Sequence, residues 1–409
     1  MNTAVGIDVS KGKSIVSVLR PFNEVVRKPF TVSHSVPELR NLASFLKSID
    51  GETRVVMEHT GRYYEPVARI LSEEGIFVSA VNPKLIKDYG NNSLRKIKTD
   101  KADSRKIARY ALDNWCDLRE YSAMDETRYQ LKTLNRQCAL YIKNQTALKN
   151  NLISLLDMSF PGINTLFTSP ARDDGSQKWV DFAYSYWHVD CIRSLSIKTF
   201  TERYRKWCSR NGYNFSSGKA EEIYTYAADK FALIPKDDMT KLLIQQAAEQ
   251  VKAISKSVEA LQAEMLRLAE QLPEFPVVMN MRGVGKILGP QLMAEIGDVS
   301  RFTHRTAITA FAGVDPGADQ SGKHESKSNR SSKAGSPPLR RTLFLVMESL
   351  IKAKPQDDPV YRFMDKKRAE GKPYFVYMTA GANKFLRIYY GKVKEYLASL
   401  NTENPDDSK

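Results

Sequence analysis

The first part of the chain alternates short apolar segments with amphipathic ones, a pattern typical of strands and helices that share one sheet. Residues 3–32 predict three successive strands, and residues 35–49 predict a helix with Ser35 as its N-cap. The following segments predict strand, helix, strand and helix in turn: RVVMEHT, EPVARILSEEG, IFVSAVNP and DKADSRKIARYALDN. This order predicts an α/β domain with a mixed sheet over residues 1–118.

The middle of the chain, residues 119–273, changes to a helical spacing of apolar residues. Between Leu131 and Leu155 apolar residues recur at intervals of three and four, with Gln145 as an interruption. A second run has no interruption and consists of Ile244, Ala247, Val251, Ile254, Val258, Leu261, Met265, Leu268 and Leu272. Heptads of this kind predict a coiled coil or a long antiparallel helical hairpin, with burial in a larger bundle as the alternative.

Residues 158–240, between those two runs, are predicted to be an inserted subdomain rich in aromatic and basic residues. Aromatic rings among lysines and arginines can stack on nucleic-acid bases. They serve more often as the core of a small subdomain, and we expect that use in this chain. The rings concerned are Trp179, Tyr184, Tyr186, Trp187, Tyr204 and Trp207.

Residues 274–396 predict a mostly α-helical domain, and residues 397–409 a polar tail. The segment MRGVGKILGPQLMAEIGD resembles a helix-hairpin-helix, whose glycines let backbone amides approach a phosphate. Further on, the polar stretch DQSGKHESKSNRSSKAG (319–335) separates two helix-like segments. Its composition alone indicates a solvated loop.

The charge balance indicates a polyanionic partner, because 62 Lys and Arg against 47 Asp and Glu give a formal net charge of +15. Residues 93–110 carry seven basic residues and two acids, and residues 361–394 carry nine and two. These segments lack the broad apolar face of a membrane-surface helix, which favours nucleic acid. No apolar run reaches the roughly 20 residues that span a bilayer, and the N-terminus does not resemble a signal peptide. We therefore expect a cytoplasmic protein, nucleoid-associated when bound to DNA.

Four carboxylates occupy positions where packing alone does not explain them. Asp8 interrupts the apolar first strand, Glu58 ends a later strand, and Asp100 and Asp103 share one face at a helix start. Taken singly, Asp100 could be a helix cap and Glu58 could pair with Arg62. A strand Asp, a strand Glu and a helical Asp pair in this order are typical of a ribonuclease-H-like nuclease core, where carboxylate oxygens hold Mg²⁺.

Motifs along the chain resemble those of the insertion-sequence family one-hundred-ten transposases. They are GIDVSK, MEHTGRYYEP, NPKLIKDYG and KTDKADSRKIA near the N-terminus, and RGVGKILGPQLMAEIGDVSRF, AFAGVDP, QSG and SSKAGSPPLRRTLF towards the C-terminus. The resemblance implies a RuvC-like domain, which has the RNase H-like fold, followed by a C-terminal transposase domain. Departures from the family pattern are Arg282, His59 after the catalytic Glu, and the insertion at 158–240.

The resemblance also implies roles for individual residues and partners. Asp8, Glu58, Asp100 and Asp103 would bind Mg²⁺, or Mn²⁺ in its place, and Ser321 would be the nucleophile that attacks DNA. A structured non-coding bridge RNA would guide recombination of donor and target DNA, and dimers would assemble into a tetramer with composite active sites. We expect contacts with nucleic acid from Lys98, Lys101, Arg105, Gly283, Gly285, Lys323, Arg330, Lys333, Arg340 and Arg341.

Other functions fit the same residues. A Piv-type site-specific DNA invertase has similar motifs, and a RuvC-like hydrolytic nuclease would use the carboxylates without Ser321. A nucleic-acid-binding protein without catalytic activity would use the acids as caps and ion pairs. We expect a DNA transposase or recombinase that acts through a serine–DNA covalent intermediate.

Overall fold

The computed structural model describes residues 1–59, 61–89, 99–317, 320–321, 324–325 and 331–403. They fold into two compact units, Met1–Met124 and Asp125–Lys409. The first unit combines a sheet with helices, and the second is almost entirely helical. Within the described residues, no helix is long and apolar enough to cross a membrane.

The first unit contains a mixed five-stranded sheet, which confirms the predicted α/β pattern. Its strand order is β3-β2-β1-β4-β5, with β1, β2 and β3 antiparallel and β4 and β5 parallel to β1. The strands are β1 (Asn2–Ser10), β2 (Lys13–Arg20), β3 (Glu24–Ser33), β4 (Glu52–Glu58) and β5 (Phe77–Val81). The helices are α1 (Val36–Lys47), α2 (Tyr64–Glu73), α3 (Pro83–Tyr89) and α4 (Asp100–Asp113). Ser35 is the N-cap residue of α1, although its side chain makes no capping hydrogen bond.

The two faces of this sheet are covered by different helices. Ile7 and Met57 are buried on the face that packs against α1 and α2. Ala4 and Val56 are buried on the opposite face, against α3 and α4. Because alternate residues of a strand point to the same face, Asp8 lies on the face of Ala4 and α4.

Residue 6 has to be glycine because α4 crosses β1 there. A Cβ at Gly6 would lie 2.1 Å from the carbonyl oxygen of Ser104 and 2.4 Å from the backbone nitrogen of Ala108. In the neighbouring strand Ser17 is paired with Gly6, and its buried hydroxyl is hydrogen bonded to that of Ser104 at 2.8 Å. Small residues on both elements therefore let α4 lie directly on the sheet.

The second unit begins with a long antiparallel helical hairpin, which confirms that form of the prediction. Leu131 and Leu268 share one hydrophobic cluster, and Leu152 and Ile244 share another, so the two long helices run in opposite directions. The helices of this region are α5 (Glu126–Ser159), α6 (Lys178–Ser185), α7 (Asp190–Arg193), α8 (Ile197–Arg210), α9 (Ser217–Ala228) and α10 (Asp238–Ala269). The hairpin consists of α5 and α10.

Two polar residues meet in the seam of this hairpin. Gln145, which interrupts the apolar pattern of α5, donates from Nε2 to the hydroxyl of Ser255 at 2.9 Å. Ser255 and Ala248 are buried where the heptad pattern placed Ile254 and Ala247, so the seam shifts by one residue. The pair favours a single register, because sliding of the helices would leave both polar groups unpaired.

The four short helices α6 to α9 form a subdomain with its own aromatic core at one end of the hairpin. Tyr204 is fully buried, and Tyr186, Trp187 and Trp207 are each 8% exposed. The rings of Tyr204 and Trp207 stack with their centroids 5.7 Å apart. The insertion therefore uses its aromatic residues as a core, as predicted.

The remaining helices pack with the opposite end of the hairpin, where Leu131 and Leu268 share a cluster with Leu343 and Phe385. The elements are α11 (Phe275–Met279), α12 (Leu288–Ile296), α13 (Arg305–Ala312), β6 (Gln320–Ser321), β7 (His324–Glu325), α14 (Pro337–Ala353), α15 (Pro359–Ala369) and α16 (Tyr374–Glu403). Because α16 continues to Glu403, residues 397–403 are helical rather than part of a polar tail.

The segment that resembles a helix-hairpin-helix contains α12, and its first residues join that helix to the short helix α11. Gly283 in its turn has φ +78, and a Cβ there would lie 2.8 Å from Cγ of Leu350 and 3.1 Å from the carbonyl oxygen of Val346 on α14. Packing against α14 therefore requires this glycine. Gly285 differs, because a Cβ there would meet nothing within 4 Å.

We expect Gly6→Ala to destabilise the first unit by about 1–3 kcal/mol, because the added Cβ meets backbone atoms of α4. Urea denaturation followed by circular dichroism measures the change. Gly391→Ala in α16 is the control, since its Cβ would enter open space, and it should be neutral or stabilising by up to about 1 kcal/mol. Equal stability of the two variants would contradict the close approach of α4.

Candidate catalytic site

Asp8 and Glu58 lie side by side at the ends of two parallel strands. The strands β1 and β4 are in register up to the pair Ile7 and Met57, and the two acids are the next residue on each strand. Neighbouring strands are about 5 Å apart, and residues opposite each other point to the same face. The two carboxylates are therefore neighbours, and both are partly buried.

Asp100 and Asp103 occupy the first turn of α4. The cap of this helix is Thr99, whose Oγ1 accepts a hydrogen bond from the backbone N–H of Ala102 at 3.2 Å. The capping interpretation of Asp100 is therefore wrong, because the neighbouring threonine already fills that position. The capping hydrogen bond therefore does not account for either aspartate.

The four acids act on one another electrostatically. Burial raises the pKa of Asp8 to about 6, and the negative charges of Asp100 and Asp103 contribute to this rise. Burial also raises the pKa of Glu58, with a further contribution from the charge of Asp8. Carboxylates that repel one another in a partly buried site favour binding of a cation.

Ion pairs do not relieve this repulsion among the residues that the structure describes. The acids that form ion pairs in this unit are Glu24, Glu52, Glu73 and Glu74. The suggested pair of Glu58 with Arg62 is not formed within the described chain. The site therefore keeps its negative charge.

The donor set fits a hard cation by its chemistry, because it offers carboxylate oxygens that repel one another. Among the described residues, however, no three Asp, Glu, His or Cys side chains converge closely enough to hold a metal ion. At least one carboxylate would have to turn for three of them to bind the same ion.

Lys106 belongs to this site, although the motifs did not single it out. It follows Asp103 by three residues and so lies on the same side of α4. Its positive charge acts to lower the pKa of Glu58. The spacing of Asp100, Asp103 and Lys106 was the available signal, and a cation beside the acids suits a site that receives a phosphate.

The loop that contains Ser321 connects α13 to α14. Its two ends, residues 311–315 and 332–336, are joined by backbone hydrogen bonds and form a closed stem. The backbone N–H of Ser332 donates to the carbonyl of Asp315 at 3.0 Å, and that of Lys333 donates to Gly313 at 3.2 Å. At the top of the described loop, Ser321 pairs with His324 across the strands β6 and β7. The loop is therefore anchored at its base and is not an open spacer.

Two glycines and an arginine build this stem. Gly313 ends α13 with φ +65, and a Cβ at Gly335 would lie 2.1 Å from the carbonyl oxygen of Phe311. The guanidinium of Arg340 donates from Nη1 to the carbonyl of Ala312 at 2.9 Å and so caps the end of α13. Burial lowers the pKa of Arg340.

The stem is also tied to the hairpin through Glu295 of α12, which is 2% exposed. Its carboxylate accepts hydrogen bonds from Asn135 at 2.8 Å and from Arg136 at 2.8 Å, both on α5. It also accepts one from the hydroxyl of Ser336 at 3.3 Å, and Ser336 is the N-cap of α14. Three hydrogen-bond donors therefore satisfy this buried carboxylate, and the one from Ser336 fixes the start of α14.

A groove of about 1650 Å³ opens beside the stem, between α13, α14, α15 and α16. Basic side chains on its walls are Lys333, Arg340, Arg341, Lys384 and Arg387, and the aromatic ones are Phe344, Phe363 and Phe375. Phe375 is 71% exposed. Aromatic and basic side chains on one concave surface suit a nucleic-acid strand.

The residues predicted to contact nucleic acid have different surroundings. Lys101 and Arg105 are exposed on α4, and Lys333 and Arg341 are exposed beside the groove. Arg340 also lines the groove, although its guanidinium is bound to the α13 carbonyl. The motifs missed Lys384, Arg387 and Phe375, for which the basic run at 361–394 was the signal. Lys98, Lys323 and Arg330 lie outside the described residues.

Comparison with known proteins gives the family. Residues 5–161 match a DEDD-type transposase model named for IS110, and residues 276–362 match the model of the IS116/IS110/IS902 transposase family. The chain belongs to this IS110 family of transposases. The first match contains the four carboxylates and the second contains Ser321, so the family expected from the motifs is confirmed.

Relatives of this transposase chain span most of its length. The 43.6 kDa protein of insertion element IS110 from Streptomyces coelicolor is 21% identical over 96% of this chain and 94% of its own. The 44.8 kDa protein of IS116 from Streptomyces clavuligerus is 22% identical over 90% and 88%. The 42 kDa protein of IS900 from Mycobacterium paratuberculosis is 21% identical over 73% and 72%. Similarity therefore extends across both units.

We expect Asp8→Asn to stabilise the metal-free transposase at pH 7 by about 1–2 kcal/mol, after allowance for solvent screening. The pKa of Asp8 is raised from 3.8 to about 6 in the folded state, so the carboxyl favours folding only while protonated. That contribution is present below pH 4 and is lost as the pH rises through 6. Thermal unfolding in a chelator should therefore show a difference between wild type and variant at pH 7 and none at pH 4.

The exposed acid Asp50 provides the control, because Asp50→Asn removes the same charge away from the site. It should leave the thermal unfolding unchanged at both pH values. A destabilised Asp8→Asn variant at pH 7 would contradict the repulsion inferred among the acids.

Proposed function

We propose that this protein is a DNA recombinase of an insertion element that cuts and rejoins DNA with both of its candidate sites. The observation that carries the proposal is the cluster of four carboxylates in a chain of the transposase family. Burial raises the pKa of Asp8 and of Glu58, and the charges of the neighbouring acids add to both shifts. An excess of negative charge in this site suits a bound divalent cation, and that cation would in turn receive a phosphate.

Asp8, Glu58, Asp100 and Asp103 would hold Mg²⁺, with Mn²⁺ as a substitute. The ion would supply positive charge to polarise the scissile phosphate. The acids themselves position that charge, and Lys106 provides a fixed cation next to Glu58. Lys101 and Arg105, exposed on the same helix, would hold the phosphates on either side.

Ser321 would attack the scissile phosphorus through its hydroxyl oxygen. A serine–phosphate ester forms as the P–O bond to one DNA end breaks, and the serine proton passes through solvent to that leaving oxygen, which departs as a hydroxyl. This step conserves the energy of the phosphodiester, so rejoining needs no nucleotide cofactor. Support comes from the stem, which anchors both ends of the loop at the edge of the basic groove.

The groove would hold the strand that Ser321 attacks. Arg341, Lys384 and Arg387 can neutralise its phosphates, and the exposed ring of Phe375 can stack on a base. Gly285, next to open space, leaves a second place where a backbone can approach. The strand would then be bound by charge and stacking rather than by its sequence.

Sequence selection would come from a structured non-coding bridge RNA that pairs with donor and target DNA. Support for this proposal is the family and the net charge of +15, which suits two nucleic-acid partners. It requires a discrete RNA that copurifies with the protein. Dimers that assemble into a tetramer would bring the acids of one subunit to the serine loop of another.

The decisive experiment uses Ser321→Ala on DNA that carries the element's ends. Wild type should form a covalent protein–DNA adduct, visible on a denaturing gel, and the variant should lose the adduct and more than about 1000-fold of strand exchange. Ser326→Ala, in the same loop, is the control and should retain both. A variant that still nicks DNA at the wild-type rate would show a hydrolytic nuclease instead.

Mixing two inactive proteins tests the composite site in the same assay. Asp8→Asn and Ser321→Ala should each be inactive alone, and the mixture should recover part of the adduct if the acids and the serine come from different subunits. No recovery in a mixture that forms mixed oligomers would place the two groups in one subunit.

We expect substitution of Arg340 to change the stability of the protein and substitution of Arg341 to change its DNA binding. Arg340→Gln should lower the free energy of unfolding by about 1–2 kcal/mol, because the carbonyl of Ala312 loses its donor. Arg341→Gln should leave unfolding unchanged and weaken DNA binding, with a salt slope reduced by about 1. Denaturation and fluorescence anisotropy at several salt concentrations measure the two effects, and the reverse result would contradict the roles of these two arginines.

A further inference from the structure

One face of α8, in the inserted subdomain, is lined with basic residues. Arg203, Lys206 and Arg210 are exposed and follow one another at intervals of three and four residues. At about 100° per residue they fall within an arc of roughly 60°. The other basic residues of this helix, Lys198 and Arg205, lie outside this arc, about 80–100° from Lys206 and about 140–160° from Arg203.

This face forms the wall of a pocket of about 580 Å³. A fourth cation, Lys236, reaches the pocket from the segment before α10, and its Nζ donates to the carbonyl of Asp190 at 3.1 Å. The hydroxyls of Ser185 and Ser194 also line the pocket, but they donate to the carbonyls of Asp181 and Asp190. Among the described residues that line the pocket, none is an Asp or Glu. Four basic side chains around one opening raise the local positive potential.

The three cations of α8 are not neutralised within the subdomain. Ion pairs of the subdomain join Arg193 to Asp190 and Lys219 to Glu222. Within the described chain none of the pairs includes Arg203, Lys206 or Arg210. Within the described chain Lys198 and Arg205 form no ion pair either, so this face is distinguished by the clustering of its cations around one opening.

The aromatic rings beside the pocket are not open for stacking. Tyr186 and Trp207 contribute to its lining but are each 8% exposed. The indole of Trp207 stacks on Tyr204 and Tyr213, and its Nε1 donates to the hydroxyl of Ser185 at 2.9 Å. Charged heads are therefore what a ligand would meet, which suits phosphates better than bases.

We propose that this pocket binds the phosphate backbone of a nucleic acid, independently of base sequence. From Arg203 to Arg210 the helix rises about 10 Å, which matches roughly three phosphates of one strand at 3.4 Å each along the axis. The site lies between the segments that match the family models, residues 5–161 and 276–362. It is a binding surface of the insertion and does not depend on the recombination chemistry.

The test compares two double variants of the full-length protein that remove the same number of charges from α8. Lys206→Gln/Arg210→Gln alters the pocket, and Lys198→Gln/Arg205→Gln is the control variant, which alters residues that do not line it. Their affinities for duplex RNA and duplex DNA of about 20 base pairs are measured by fluorescence anisotropy over a range of salt concentrations. Thermal unfolding of each variant establishes that the subdomain is folded.

The pocket variant should bind about tenfold more weakly at low salt, and its salt slope should be smaller by about 1–2 than that of the control variant. A loss with both duplexes, or with only RNA or only DNA, supports the site and identifies its source of phosphate. Equal behaviour of the two variants with both duplexes would overturn the proposal. Adduct formation by Ser321 provides a separate readout, so failure of the recombinase mechanism would be distinguishable.

Discussion

The acidic site depends on the contact between α4 and β1. Asp8 and Glu58 come from parallel strands, but Asp100 and Asp103 come from a helix that must lie almost on the backbone of the sheet to reach them. Gly6 makes this approach feasible, because any side chain there would meet backbone atoms of Ser104 and Ala108. The packing of small residues thus holds acids together that would otherwise move apart, and the rest of the domain offsets their repulsion.

The sequence predicts the elements whose apolar residues recur at a regular spacing. These are the order of strands and helices along the first unit, the helical hairpin and the aromatic core of the insertion. The partners of individual side chains were not predictable in this way. Thr99, rather than its neighbour Asp100, caps α4. Arg340 binds the end of a helix while its neighbour Arg341 remains exposed. The role of Ser321 as the nucleophile stays a prediction from the motif QSG.

The serine loop shows how composition and structure can differ. Its polar residues resemble those of a spacer, whose two ends would move independently. Backbone hydrogen bonds from Ser332, Lys333 and Ser336 instead bring its ends together, and Glu295 connects them to the hairpin. The entropic cost of closing the loop is therefore offset by the hydrogen bonds of the stem, which fix where the loop starts and ends.

The length of α5 sets the distance between two hydrophobic cores of the second unit. Leu131, in the C-terminal core, and Leu152, in the core of the insertion, lie on the same helix, about 30 Å apart at 1.5 Å per residue. That interval is about nine base pairs at 3.4 Å each, close to one turn of a duplex. The length of the hairpin thus separates its two cores by nearly one turn of a double helix.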